Sequence, residues 1–200
     1  MKILVSAFEP FGGESINPAL EAAALLRDAD VVKLTLPVRY AEAAKIICAE
    51  IDRLEPDAVI SVGQAGGRDA VTPERQAVNE RSSAAPDSAG RLCQGEKIDP
   101  EGEDRLESTF GAEQIACAIN ASGLPARVSD SAGTYVCNDV MYSVLAKLKH
   151  KKVPAGFIHL PFCTGQATRH PGAFTMEISD MARALEIAVA TVKQIIAAQQ

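Results

Sequence analysis

The 200-residue sequence predicts an α/β fold in which a mostly parallel sheet is covered by helices on both faces. Three observations point there. Short β-branched, apolar runs bounded by Gly, Pro or Asp alternate with longer stretches of helical periodicity. That order builds parallel strands joined by crossover helices. One segment, Gln64 to about Arg105, breaks the rhythm and is rich in Gly, Pro, Ser and charge. It is too long for a simple connection and marks a functional or mobile insertion.

Taken in order, Lys2–Phe8 reads as the first strand, stopped at once by Glu9-Pro10, and Pro18–Arg27 as the first helix. Val31–Val38 is the second strand, Ala41–Leu54 the second helix and Ala58–Gly63 the third strand, which runs into the insertion. Beyond it come a helix over Gly111–Ala121, a strand over Ala126–Ser129 and a helix over Asn138–His150. In that last helix Val140, Val144 and Leu148 fall at i, i+4, i+8 beside Met141 and Leu145, one apolar stripe facing a core. A strand over Ala155–Leu160 and a helix over Ser179–Gln199 complete the series. No repeat or linker divides the chain, and its length suits a single domain, 1–200, able to bury its own core.

Bulk properties narrow the function. Asp and Glu outnumber Lys and Arg by 26 to 20, a net charge of −6 with no basic cluster, which disfavours nucleic acid as a partner. The apolar N-terminus is too short for a secretory segment and no stretch approaches a membrane span, so the expectation is a cytoplasmic protein with no membrane partner. The five cysteines at 48, 93, 117, 137 and 163 are odd in number, widely spread and free of CxxC pairs. Free thiols in a reducing compartment fit that pattern better than disulfides or zinc.

Five stretches carry candidate chemistry. In Ser131-Ala132-Gly133-Thr134-Tyr135-Val136-Cys137-Asn138-Asp139 a small-residue turn delivers Cys137 to a helix start. Unpaired backbone N–H groups and the helix dipole there favour a thiolate. His159 ends an apolar strand, the edge where ligands gather in open α/β sheets. Ser61-Val62-Gly63-Gln64-Ala65-Gly66-Gly67-Arg68 is a strand running into a glycine-rich turn without Walker or GxGxxG spacing. Glu74 lies in the insertion, and Phe8 and Phe11 flank Glu9-Pro10 ahead of Gly12-Gly13. Singly, each has a plainer reading: a core cysteine, a core histidine, an ordinary turn, a surface glutamate, two packed rings. Together they supply a nucleophile, a base and an orienting acid, the set a thiol hydrolase requires.

The stretches FEPFGGESINPALEA, SVGQAGGRDAVTPERQAVN, SDSAGTYVCND and GFIHLPF resemble pyroglutamyl peptidase I, also called pyrrolidone carboxyl peptidase, over nearly the whole chain. The resemblance implies a three-layer αβα sandwich, a homotetramer, and removal of 5-oxoproline from peptide N-termini without metal or cofactor. By motif it casts Cys137 as nucleophile, His159 as acid/base and Glu74 as third member. It assigns Phe8 and Phe11 to the pyrrolidone ring and the Gln64 carbonyl to the lactam N–H, with Asn17 and Val136 as further site residues. Two stretches depart from the family pattern. Ala84-Ala85-Pro86-Asp87-Ser88 stands where the family reads Arg-Ile-Pro-Asp-Asn, an arginine placed near the oxyanion site, with Arg81 three residues earlier as a substitute. Ala173-Phe174-Thr175-Met176 replaces the family's Pro-Ser-Met. Two other readings stand beside the peptidase: a nucleoside-phosphorylase-like enzyme on a similar sheet, and a binding protein descended from a peptidase.

Overall fold

The computed structural model describes residues 1–199; Gln200, which closes the expected domain, lies outside them. The elements run β1 (Ile3–Phe8), α1 (Pro18–Leu25), β2 (Val31–Leu36), α2 (Glu42–Leu54) and β3 (Ala58–Gln64). Five short strands follow: β4 (Thr72–Pro73), β5 (Gln76–Val78), β6 (Arg81–Ser82), β7 (Gln94–Glu96) and β8 (Arg105–Glu107). The chain then forms α3 (Ala112–Ala121), α4 (Val136–Leu148), β9 (Ala155–Leu160), β10 (Phe162–Cys163), a 3₁₀ turn at Thr164–Gln166, β11 (Thr175–Met176) and α5 (Ile178–Ala198).

The central sheet has the order β2-β1-β3-β9-β4. The first four strands are parallel, with Ile3 opposite both Val31 and Ala58, and Gly63 opposite His159. Only β4 is antiparallel, placing Thr72 opposite His159. Side chains alternate across β1, so Ile3, Val5 and Ala7 face one core while Leu4 and Phe8 face the other. The first core joins them to Ile115 of α3 and Leu185 and Val189 of α5. The second joins them to Ile47 of α2 and Val140 and Tyr142 of α4. The result is the expected three-layer sandwich.

One predicted strand does not form. Ala126–Ser129 runs parallel to Val71–Arg75 and exchanges Val71 N–H to Pro125 O, Arg127 N–H to Val71 O, Ser129 N–H to Pro73 O and Arg75 N–H to Ser129 O. Pro73 has no N–H to continue the ladder, so pairing is left as two isolated bridges, Val71–Ala126 and Glu74–Ser129. The insertion folds into two antiparallel ribbons, β5 with β8 and β6 with β7. Asn138, the residue after Cys137, pins β5 to α4: its Oδ1 accepts from Val78 N–H at 2.9 Å and its Nδ2 donates to the Val78 and Glu80 carbonyls at 2.8 and 3.0 Å.

Candidate active site

The carboxyl ends of β1, β3 and β9 and the start of α4 meet at one edge of the sheet. From β1 the chain crosses to β2 on one side and to β3 on the other, so the order reverses there and leaves a crevice. A cavity of about 360 Å³ opens in it, lined among others by Phe11, Gln64, Tyr135, Cys137, His159 and Phe162.

Gly63 lies against the sulfur and next to the strand position of the imidazole. It is the register partner of His159. A Cβ placed on it would lie 3.0 Å from Cys137 Sγ and 2.9 Å from the Phe157 ring, so the thiol sits directly over the bare Cα. The Phe157 ring in turn leans on the His159 ring, centroids 4.7 Å apart. Gly66 does the same for the far wall, since a Cβ there would fall 2.2 Å from the Phe162 ring.

Glu74 is fully buried although it lies in the insertion, because the bridge to Ser129 and its own N–H bond to Phe157 O, 2.8 Å, draw it beneath the sheet edge. Its Oε1 is 2.7 Å from His159 Nδ1. With a carboxylate accepting there, Nδ1 carries the ring proton and Nε2 is left as the acceptor. Arg68 reaches the same Oε1 at 2.7 Å, and it also donates to Thr72 Oγ1 and the Ser131 carbonyl. Glu74 Oε2 has no hydrogen-bond partner among the described residues.

Cys137 is the second residue of α4, and the N-cap residue Tyr135 offers no side-chain cap to the first-turn N–H groups. The helix start was expected to lower the thiol pKa. Instead burial, with Glu74's negative charge behind it, pushes the thiol up to about 12, and Arg68 and a backbone hydrogen bond only partly oppose this. Burial also holds His159 below its ordinary value in spite of the Glu74 hydrogen bond. Burial thus disfavours the charged form of both groups.

Of the expected ring contacts, Phe11 and Gln64 line the cavity. Phe8, Asn17 and Val136 do not, and each has a structural task. Phe8 is 2% exposed and tilts against Phe157, centroids 6.3 Å apart. Asn17 is the N-cap of α1, accepting from Ala19 N–H at 3.0 Å. The Val136 side chain is buried in the second core, so only its backbone N–H faces the open end of the helix. Arg81 is committed elsewhere, to the buried Asp139 at 2.8 Å, and Ala84 is exposed in a neighbouring cavity.

Three participants escaped the sequence reading. Arg68 stood in a quoted stretch without a role. Glu14 and His170, 156 residues apart, also line the cavity; they are 2.9 Å apart, and the hydrogen bond from His170 keeps the Glu14 carboxyl below the usual range. The His170 ring stacks on Phe162, centroids 3.7 Å apart. Only the fold brings these together; a histidine close after the His159 strand, within a loop rich in polar residues, was the one available signal. Gln166 extends the network by donating to Gln64 Oε1 at 3.1 Å. No group of three or more His, Cys, Asp or Glu among the described residues is placed to hold a metal ion.

Against known proteins, the family described as Pyroglutamyl peptidase matches residues 1–195. A pyrrolidone-carboxylate peptidase 1 of Caldanaerobacter subterraneus is 42% identical over 195 residues, covering 94% of this chain and 96% of that protein. A pyrrolidone-carboxylate peptidase of Lactobacillus helveticus is 41% identical, covering 96% and 98%. Among solved structures, pyroglutamyl peptidase I of Bacillus amyloliquefaciens superposes with a TM-score of 0.92 at 33% identity, covering 96% of this chain and 94% of that one. A mutant pyrrolidone carboxyl peptidase of Pyrococcus furiosus gives 0.91 at 32%, covering 98% and 99%.

Proposed function

This chain belongs to the pyroglutamyl peptidase family, and we propose that Cys137, His159 and Glu74 perform its reaction, with Phe11 and Gln64 contacting the lactam ring. The enzyme is a cysteine-type hydrolase that removes an N-terminal pyroglutamyl residue from a peptide. One observation supports the residue assignment most: a fully buried carboxylate 2.7 Å from Nδ1 of a histidine that shares a cavity with a cysteine at a helix start.

With burial disfavouring thiolate and imidazolium alike, His159 Nε2 takes the thiol proton as Sγ attacks the carbonyl that follows the lactam ring. Glu74 holds the imidazole in the tautomer that can accept and stabilises the imidazolium that forms. The uncapped N–H groups at the start of α4 receive the developing oxyanion. His159 returns the proton to the leaving amine as the C–N bond breaks. Water, deprotonated by the same nitrogen, then releases pyroglutamate and restores the thiol.

On the family resemblance alone, we also assign the enzyme, as a single domain, to the cytoplasm as a homotetramer. All five cysteines are free, and no helix among the described residues is long and apolar enough to cross a membrane.

Release of aminomethylcoumarin from its pyroglutamyl derivative tests the reading. Wild type is expected to turn it over and Cys137→Ala to lose that activity. The prolyl derivative lacks the lactam oxygen and carries a cationic amine, so a site built on lactam hydrogen bonds should reject it by about 10⁴-fold. Equal turnover of the two would remove the lactam-reading site, and an active Cys137→Ala would remove the nucleophile.

A further inference from the structure

Arg68 has no part in the reaction as written above, yet among the described residues it is the one permanent cation paired with Glu74. It follows the Ala65-Gly66-Gly67 turn, where Gly67 at φ 82° folds the chain back and Arg68 N–H bonds the Ala65 carbonyl at 3.4 Å. Its side chain is only 20% exposed.

Three lines of the site meet at this side chain. Nη1 lies 2.7 Å from Glu74 Oε1, the same oxygen that faces His159 Nδ1 at 2.7 Å. Nη1 also donates to Thr72 Oγ1 at 2.6 Å, and that hydroxyl donates to the His159 carbonyl at 3.3 Å. Nη2 donates to the Ser131 carbonyl at 3.0 Å, at the head of the turn that delivers Cys137. One planar fork therefore reaches the orienting acid, the backbone of the imidazole through Thr72, and the turn that carries the sulfur.

The charges point the same way. Glu74 is fully buried and its Oε2 has no hydrogen-bond partner among the described residues, so compensation for its charge comes through Oε1. A neutral imidazole supplies a hydrogen bond there but no charge, and Arg68 supplies the charge. The charged neighbours are committed elsewhere: Arg75 to Asp130 and Glu113, Asp69 to Arg127, and Glu14 to His170 across the cavity. Burial is the largest influence on Cys137 and His159 alike; Arg68 draws the thiol down against it and adds to it in disfavouring the imidazolium.

We propose that Arg68 is a positioning residue of the reaction, acting through Glu74: it neutralises the buried carboxylate and fixes Oε1 toward Nδ1, so that the imidazole and the Cys137 turn are held in one geometry. The proposal rests on the Cys137–His159–Glu74 reading. It makes the third member of that set a pair, a carboxylate with its own permanent counter-charge.

The test is a double-variant cycle on pyroglutamyl-aminomethylcoumarin, with circular dichroism to check the fold. Arg68→Met should lower kcat by more than about tenfold with KM changed less than about threefold, since misplacement of a reacting group by about 1 Å costs on the order of 10²-fold. In Glu74→Gln, where there is no charge to neutralise, the same substitution should cost less than about threefold. Arg68→Lys keeps a charge on a flexible stem and should restore part of the lost kcat. Arg75→Met removes a surface guanidinium beside the same turn and should stay within about twofold of wild type. The double variant Arg68→Met/Glu74→Gln should melt above Arg68→Met alone, because it leaves no unpaired buried charge. If Arg68→Met does not fold, the cycle is run with Arg68→Lys, whose smaller loss must likewise shrink in Glu74→Gln. Equal fold-losses in the two backgrounds, a loss confined to KM, or a wild-type kcat in Arg68→Met overturns the positioning role while leaving the peptidase intact. If wild type releases no coumarin, or Glu74→Gln runs at the wild-type rate, the parent reading falls and the role of Arg68 with it.

Discussion

Gly63→Ala tests whether a bare Cα is what sets the reacting atoms. The new Cβ would stand 2.9 Å from Phe157 Cζ, 3.1 Å from Phe157 Cε1 and 3.0 Å from Cys137 Sγ. Carbon atoms rest at about 3.5–4.0 Å, so each neighbour must retreat by about 0.5–1 Å. Phe157 is fully buried between Phe8 and His159, so it passes its displacement to the imidazole, while the sulfur moves directly. Misplacement by about 1 Å costs on the order of 10²-fold in rate. Overpacking costs about 1–3 kcal/mol, offset by about 0.4–1 kcal/mol of lost unfolded-chain entropy. The net is about 0–2.6 kcal/mol, or up to roughly 10 °C in Tm for a chain of this size. The fall should lie in kcat rather than KM, because the ring-lining residues are untouched. Gly165→Ala is the control: its Cβ would meet Cys163 Sγ at 3.7 Å and Ile16 at 3.8 Å, ordinary contacts. Wild-type kcat and Tm in Gly63→Ala, measured on the pyroglutamyl coumarin and by thermal melting, would refute the reasoning.

Glu74→Gln keeps the shape but loses the charge that fixes the imidazole tautomer, so kcat should fall by more than tenfold yet less than in Cys137→Ala; a folded variant at the wild-type rate removes Glu74 from the mechanism. Arg81→Ala strips the partner from Asp139, which is fully buried and also accepts from Ala41 N–H. An uncompensated buried charge costs about 3–5 kcal/mol, so Tm should drop steeply while the rate per folded molecule changes less than tenfold, and the reverse pattern would return Arg81 to the oxyanion site. Stability should peak between about pH 6.5 and 9. Cys137 is raised above its ordinary 9.0, so the folded state holds a proton that the unfolded chain gives up, and stability is lost as pH rises past 9. His159 is lowered below its ordinary 6.5, so its contribution is lost as pH falls below 6.5. Melts from pH 5 to 10 should show Cys137→Ala with the shallower alkaline decline; parallel curves would contradict the buried neutral thiol.

The sheet was legible because its strands are apolar runs with hard stops, such as Glu9-Pro10 after Phe8. The bridge pairing of Ala126–Ser129 was not, since it depends on a missing N–H at Pro73, more than fifty residues away in the chain. Motif matching singled out Cys137, His159 and Glu74, which the fold brings to one sheet edge, but could not sort cavity-lining residues from scaffold. Phe8 and Asn17 sit in the same stretch as Phe11, yet one fills the core and the other caps a helix. Arg68 was visible as a letter and invisible as a partner: its guanidinium meets Glu74 only after the turn at Ala65–Gly67 folds it back.

The thiol shows where a local rule meets a larger global one. A helix terminus is worth about 0.3–1 kcal/mol, less than one pKa unit at about 1.36 kcal/mol each. Burial acts against it and wins, taking Cys137 from an ordinary 9.0 to about 12. A preformed thiolate would make Cys137 the first cysteine to react with iodoacetamide. A neutral, half-buried thiol reverses that order. Cys117 is exposed on α3, so it should be carbamidomethylated ahead of Cys137 at pH 7.5, with activity surviving its modification. Loss of activity should then follow Cys137 alone and accelerate as pH rises. Peptide mass spectrometry on timed samples, read beside residual turnover, decides the order. Cys137 modified first, with inactivation in step and flat across pH 6–9, would mean that His159 already holds the proton in the free enzyme, and the concerted transfer argued from burial would be wrong.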